Sequence, residues 1–217
     1  MMRKKRKKFC PRFVVSLLVF LLVFFFFEQA FQFPVQNLLD PYTNVKQYTT
    51  EVEKELEKYG LEQYTLALIA LMQQESRGRG GDPMQSSESA GLPPNSINDP
   101  QKSIEYGVKH FQSVYSYGTE KNVDFSTIIQ AYNMGMGYID HVAAAGGKHT
   151  EELAKQYSMK QVEKNPELYN CGGNKNNFRY PYCYGDFTYS EKVAKNIEDL
   201  SESLPALKNE AQTGDPY

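Results

Sequence analysis

Apolar positions recur at helical steps along most of the chain. Val45, Tyr48, Val52, Leu56 and Tyr59 are three or four residues apart with charged residues between them, which predicts a surface helix with Asn44 as N-cap and Gly60 as stop. The stretch 64–75, YTLALIALMQQE, is apolar on nearly every side between Leu66 and Met72, so a buried central helix is expected there. Asp99 and Pro100 form an N-cap and first-turn pair ahead of Ile104, Val108, Phe111 and Tyr115, which keep helical spacing up to Gly118. Ser126 is in place to cap a helix through Ile128, Ile129 and Tyr132. Gly135 and Gly137 break it before a short continuation over 138–145 that stops at Gly146-Gly147. Thr150, Glu151 and Glu152 open another helix. After an Asn-, Gly- and Tyr-rich loop over 170–185, Val193, Ile197, Leu200 and Leu204 define a last helix that Pro205 closes. No β-alternation of useful length and no internal repeat appear, so the expected fold is a single mostly α domain.

The amino terminus follows another pattern. Residues 13–27, FVVSLLVFLLVFFFF, carry no charge, and Arg3, Lys4, Lys5, Arg6, Lys7, Lys8 and Arg12 precede them. As a helix this run rises about 22 Å, short of the roughly 30 Å hydrocarbon core, although Phe9, Ala30, Phe31 and Phe33 extend its apolar character. Signal peptide and membrane anchor are both compatible with it. Glu28-Gln29-Ala30 lacks the first small residue of a cleavage site, which favours the uncleaved anchor. The positive-inside rule then leaves the basic end in the cytoplasm and everything from Glu28 outside. The resulting layout is a basic, membrane-inserted segment over 1–30, a tether over 31–43, a folded domain over 44–204 and a tail over 205–217. The expected location is the cell membrane, single-pass with an extracytoplasmic domain, or secretion if the segment is removed.

Charge sharpens this division. The formal net charge of -2 conceals that seven of the 24 basic residues fall in the first twelve positions, leaving 17 against 26 acidic ones in the rest. Without clustered Lys and Arg that remainder is a poor partner for nucleic acid. With 41% hydrophobic and 13% aromatic residues the bulk is expected to fold. Of three cysteines only Cys171 and Cys183 belong to the exported part, an even number that suits a disulfide in an oxidising compartment, with two free thiols as the alternative. His110, His141 and His149 show no paired ligand spacing, so neither a metal nor another cofactor is expected.

The chemistry concentrates where the buried helix ends. Glu75 closes an apolar helix and is followed by Ser76-Arg77-Gly78-Arg79-Gly80-Gly81. A carboxylate facing the negative end of a helix dipole, with Leu71 and Met72 one turn earlier to desolvate it, has its pKa raised. That is the state a general acid needs to protonate a glycosidic oxygen; the plain alternative is a solvated Glu at a frayed helix end. The next loop packs Asp82, Gln85, Ser86, Ser87, Glu88 and Ser89 into eight residues, a density of donors and acceptors that suits a sugar site. Asp82 is a candidate second carboxylate there, or only a turn residue before Pro83. Tyr132 and Asn133 sit together where another helix gives way to glycine, as site residues or as a core tyrosine with a capping Asn. With no Trp, stacking on sugar faces falls to Tyr or Phe, among which Tyr132, Tyr138 and Tyr184 are candidates.

Gln74-Glu75-Ser76, then Met84-Gln85, then Ala131-Tyr132-Asn133-x-Gly135, in this order within a helical domain, resembles the lysozyme-like and lytic transglycosylase superfamily of peptidoglycan-cleaving enzymes. The longer run from Glu75-Ser76-x-Gly78-x-Gly80-x-Asp82-x-Met84-Gln85 to Ser89, with Asp99-Pro100 and Ser103-Ile104, resembles the muramidase domain of bifunctional cell-wall hydrolases carried by Gram-positive conjugative elements. The resemblance implies a lysozyme-like fold, peptidoglycan as substrate, Glu75 as catalytic acid, Asp82 as second carboxylate, and a conjugation or secretion apparatus as a further partner. Two departures matter. Such hydrolases usually add a cysteine-peptidase domain, for which 217 residues leave no room, so no peptide cleavage is expected; and Asp82-Pro83 replaces the Gly-Leu of the transglycosylase Gly-Leu-Met-Gln. A transglycosylase needs one acid/base only, so the added Asp favours an N-acetylmuramidase that hydrolyses the MurNAc-GlcNAc β-1,4 bond. The alternatives are a lytic transglycosylase giving 1,6-anhydromuramoyl ends and a non-catalytic glycan-binding envelope component, against which the intact Glu75 speaks.

Overall fold

The computed structural model describes residues 20–25 and 40–204. The chain divides into two units, Met1–Thr43 and Asn44–Tyr217; the site described below lies wholly in the second. Residues 20–25 are helical, with Phe20, Phe24 and Phe25 exposed. No helix among the described residues is long and apolar enough to cross a membrane. The rest of the apolar run, the basic cluster, most of the tether and the tail over 205–217 lie outside the described residues.

The second unit is helical, with no strand among its described residues. After a single turn, Thr43–Lys46, come α1 (Thr49–Glu57), α2 (Thr65–Glu75), α3 (Pro100–Glu120), α4 (Phe125–Met134), α5 (Gly137–Ala143), α6 (Glu151–Lys164) and α7 (Tyr189–Ser203). The continuous first helix expected from Asn44 is in fact broken. The Thr49 hydroxyl donates to the Lys46 carbonyl at 2.9 Å and satisfies it outside the helical ladder, so the chain restarts at Thr49.

α2 is the axis of the unit. Every residue from Thr65 to Met72 is buried, because α1 packs on one side and α7 on another. At about 1.5–3 kcal/mol for each large apolar side chain removed from water, this helix is the main hydrophobic contribution of the fold. Asn196 of α7 donates from its side-chain nitrogen to the Ala70 carbonyl at 3.1 Å, fixing the slide of α7 along α2. α3 packs on α1 and α4, α4 on α5 and α7, and α5 on α6.

Three caps fix where the helices begin. Asp99 accepts from the Gln101 amide with Pro100 in the first turn, and Thr150 accepts from the Leu153 amide. For α4 the cap is Asp124 rather than Ser126: its carboxylate accepts from the Thr127 amide and also from the His149 amide at 3.1 Å. Asp124 therefore ties two segments at once, which a serine two residues later has no reach to do. Cys171 and Cys183 are joined by a disulfide, with Cα atoms 5.1 Å apart, in the loop between α6 and α7.

Candidate active site

Glu75 is the last residue of α2, and the chain turns away immediately behind it. The Ser76 amide closes on the Met72 carbonyl, the Ser76 hydroxyl donates to the Pro83 carbonyl at 2.7 Å, and the same oxygen accepts from the Arg79 amide. Gly78 sits at φ +66, where a Cβ would lie 2.8 Å from the Asn44 carbonyl oxygen, so only glycine fits this bend. The Glu75 carboxyl thus lines a cleft of about 560 Å³. Burial drives its pKa up to about 7; the hydrogen bond that Tyr189 donates to Oε1 at 2.5 Å opposes the rise, and the nearby negative charge of Asp82 adds to it.

Asp82 is also in the cleft wall, yet its surroundings are the reverse. Oδ1 accepts from the Ser86 amide at 2.9 Å and the Ser103 hydroxyl at 2.6 Å. Oδ2 accepts from the Ser87 amide at 3.1 Å and the Ser87 hydroxyl at 2.6 Å. Burial alone pushes this carboxyl up, but the four donors together outweigh it and hold the pKa below the usual value. The cleft therefore contains one acid kept protonated and one kept ionised.

Gln85 and Glu88 are exposed on the cleft wall. Gln85 stands at φ +48 with its side-chain amide turned back to the Asp82 carbonyl. Ser87 lines the wall with its hydroxyl committed to Asp82 and to the Ile97 amide. Ser86, expected to bind substrate, does not reach the cleft. It is fully buried and its hydroxyl donates to the Ser103 carbonyl at 2.9 Å, because the tight turn at Gln85 sends this side chain towards α3.

The opposite wall comes from the end of α4 and the 165–188 loop. Tyr132 lies almost buried on the cleft floor, its hydroxyl donating to the Met84 carbonyl at 3.3 Å. Asn133 accepts from the Asp186 amide at 2.7 Å, which fixes the orientation of its side-chain amide at the cleft. Tyr184 lines the cleft and donates to the Met134 carbonyl. Tyr138, a stacking candidate by sequence, is fully buried and bonded to His149 instead, so it is a core residue. Gly135 of the Ala131-Tyr132-Asn133-x-Gly135 motif lines the cleft too, and so do residues not read as site residues from the sequence: Pro94, Asn95, His110 and Tyr169. His110 packs edge-on against Tyr132 and meets its carbonyl at 3.1 Å, and burial lowers its pKa. Tyr169 crosses Tyr184 at 82°. Among the described residues no group of three potential metal ligands comes together.

The family model described as Lysozyme-like matches residues 42–197, which span both walls of this cleft. The chain belongs to the lysozyme-like family. It is 53% identical over 211 residues to a Bacillus subtilis (strain 168) protein named Uncharacterized membrane protein YocA, covering 94% of each chain. It is 38% identical over 164 residues to the Bifunctional muramidase/DL-endopeptidase CwlT of the same organism, covering 76% of this chain but 45% of that one. It is also similar to a solved structure from Staphylococcus aureus subsp. aureus Mu50 described as similar to a lipoprotein of the NLP/P60 family. That match has TM-score 0.60 and 36% identity, and covers 71% of this chain and 52% of the other. The chain is thus related to cell-wall hydrolases and spans about half the length of the latter two relatives.

Proposed function

We propose that this protein cleaves peptidoglycan glycan strands at the MurNAc-GlcNAc β-1,4 bond, with Glu75 as general acid. The observation that carries the reading is the pairing of Glu75, protonated up to about pH 7, with the ionised Asp82 in one cleft rich in hydrogen-bonding side chains. Glu75 delivers its proton to the glycosidic oxygen as the C1–O bond breaks, and positive charge develops at C1 and the ring oxygen. Gln85, Glu88, Asn133, Tyr169 and Tyr184 supply polar and stacking contacts to the sugars.

The N-acetylmuramidase reading, in which water attacks C1 and gives its proton to the Glu75 carboxylate left by the first transfer, is supported by the muramidase in the name of one relative. A second reading, in which the muramoyl 6-hydroxyl attacks C1 and returns a proton to the Glu75 carboxylate, is favoured by the four donors that already occupy Asp82. Mass spectrometry of digested peptidoglycan separates the two: borohydride-reducible muramic acid ends mark hydrolysis, and 1,6-anhydromuramoyl ends mark the transglycosylase. In either case Glu75→Gln is expected to abolish release of soluble fragments while the fold persists, because the amide has no proton to give at the leaving oxygen; lysis near the wild-type rate removes the proposal.

Residues 1–30 are proposed as a membrane segment that holds the catalytic unit outside the cell, on the strength of the basic cluster and the apolar run; a relative named as a membrane protein agrees with this. Local wall opening during conjugative transfer, with a conjugation or secretion apparatus as partner, is the process proposed from the motif resemblance. Membrane fractionation and protease accessibility in intact cells test the topology.

A further inference from the structure

Building on the reading of Glu75 as the acid, we propose that Asp82 is a positioning residue: its carboxylate ties the 82–97 wall of the cleft to α3 through Ser103, and it neither attacks the sugar nor takes a proton from water. An ionised carboxylate offers about four lone-pair directions, and here four donors occupy them: the amides of Ser86 and Ser87 and the hydroxyls of Ser87 and Ser103. A nucleophile or a base must present a free lone pair to C1 or to water. Asp82 has none to present, and the residue is only 5% exposed.

The direction of each hydrogen bond shows what the carboxylate does instead. A serine hydroxyl has one proton, and Ser103 and Ser87 both give theirs to Asp82. Their oxygens are then left to accept from the Met84 amide at 2.9 Å and the Ile97 amide at 3.0 Å. The charge on Asp82 therefore orients two hydroxyls that in turn fix two backbone amides, one at each end of the wall. Between them Gln85 is held in the left-handed region, a strain that persists only where the surroundings impose it. Met84 also accepts from Tyr132 on the cleft floor, so the tie reaches both walls. The fixed negative charge has a second effect: it adds to burial, the main cause, in raising the pKa of the neighbouring Glu75.

The test uses the full-length protein and the variants Asp82→Asn, Ser103→Ala and Glu75→Gln. Amide hydrogen exchange over 84–97 reads the tie without turnover: it is expected to rise in both Asp82→Asn and Ser103→Ala, and unchanged exchange in Asp82→Asn overturns the proposal. In peptidoglycan digestion, Asp82→Asn is expected to lose about a hundredfold in kcat/KM, mostly through KM, with its alkaline limb moved to lower pH because the charge beside Glu75 is gone. Ser103→Ala, which keeps the carboxylate, is expected to raise KM in the same direction. Sodium azide is expected to restore nothing. A loss of about a thousandfold or more in kcat for Asp82→Asn, with azide restoring turnover as a glycosyl azide and Ser103→Ala at wild-type KM, overturns the proposal in favour of a catalytic carboxylate. Activity persisting in Glu75→Gln instead strikes at the assignment of the acid, and the exchange result stands apart from it.

Discussion

Glu75 and Asp82 start from similar chemistry and end as opposites because of their donors. Glu75 has a single donor, Tyr189, too little to offset its burial, whereas Asp82 has four. Two consequences follow at neutral pH. Glycosidic cleavage requires the protonated form of Glu75, so kcat/KM is expected to fall about tenfold per pH unit above about pH 7, read from a pH–rate profile on solubilised peptidoglycan. Stability moves in the same sense. The folded pKa is raised from 4.5 to about 7, so the contribution of Glu75 is fully present below about pH 4.5 and is lost as pH rises through about 7. At pH 8 the buried carboxylate costs on the order of 3 kcal/mol. Glu75→Gln, inactive as it is, is therefore expected to melt above wild type at pH 8 and at nearly the same temperature near pH 4.5.

Glu75 was legible as a cleft residue because it sits at a discontinuity of pattern, where an apolar helix ends, and Asp82 because it opens the dense polar run of the loop that follows. Tyr189 was not. It lies 114 residues from Glu75 and opens α7 in a stretch that spacing reads only as a helix start. Ser86 and Ser87 are adjacent and of one type, and only the left-handed backbone at Gln85 decides which of them faces the cleft.

At the scale of elements, caps and periodicity locate the helices well, and they fail where a cap is chosen by a distant segment. Asp124 wins over Ser126 because the His149 amide approaches it from 25 residues away. The contact that sets the cleft wall against α3 is equally invisible in spacing. Gly107 faces Met84, and a Cβ built there lies 2.7 Å from the Met84 Cβ and 2.9 Å from its Cγ and Cε. Gly107→Ala does not strain the helix itself; it displaces a fully buried methionine whose amide is bonded to Ser103. The expected outcome is a loss of about 1–3 kcal/mol by thermal or denaturant unfolding. Because Met84 precedes Gln85, a rise in KM should accompany it. A variant that loses stability with KM unchanged shows that the wall relaxes independently of the cleft.

Across the whole molecule the cleft is assembled from the end of α2, the 82–97 loop, one position of α3, the end of α4 and the loop before α7, so its integrity depends on keeping distant segments together. The last of these segments has few large buried side chains and is instead closed by the Cys171–Cys183 disulfide, which spans 12 residues between Tyr169 and Tyr184. A chain-entropy estimate for a loop this short gives on the order of 3 kcal/mol, equivalent to roughly 6–12 °C in Tm for a domain of this size. Reduction, or Cys171→Ser with Cys183→Ser, is expected to lower Tm by that amount. Tyr169 and Tyr184 flank the closed loop and touch the cleft, so KM should rise by more than kcat falls, while Glu75, held by α2 and α7, keeps its pH limb. Calorimetry with and without reductant, paired with Michaelis curves, checks all three quantities. A shifted pH limb on reduction shows that the loop reaches the acid itself, and an unchanged Tm removes the disulfide from the account of the fold.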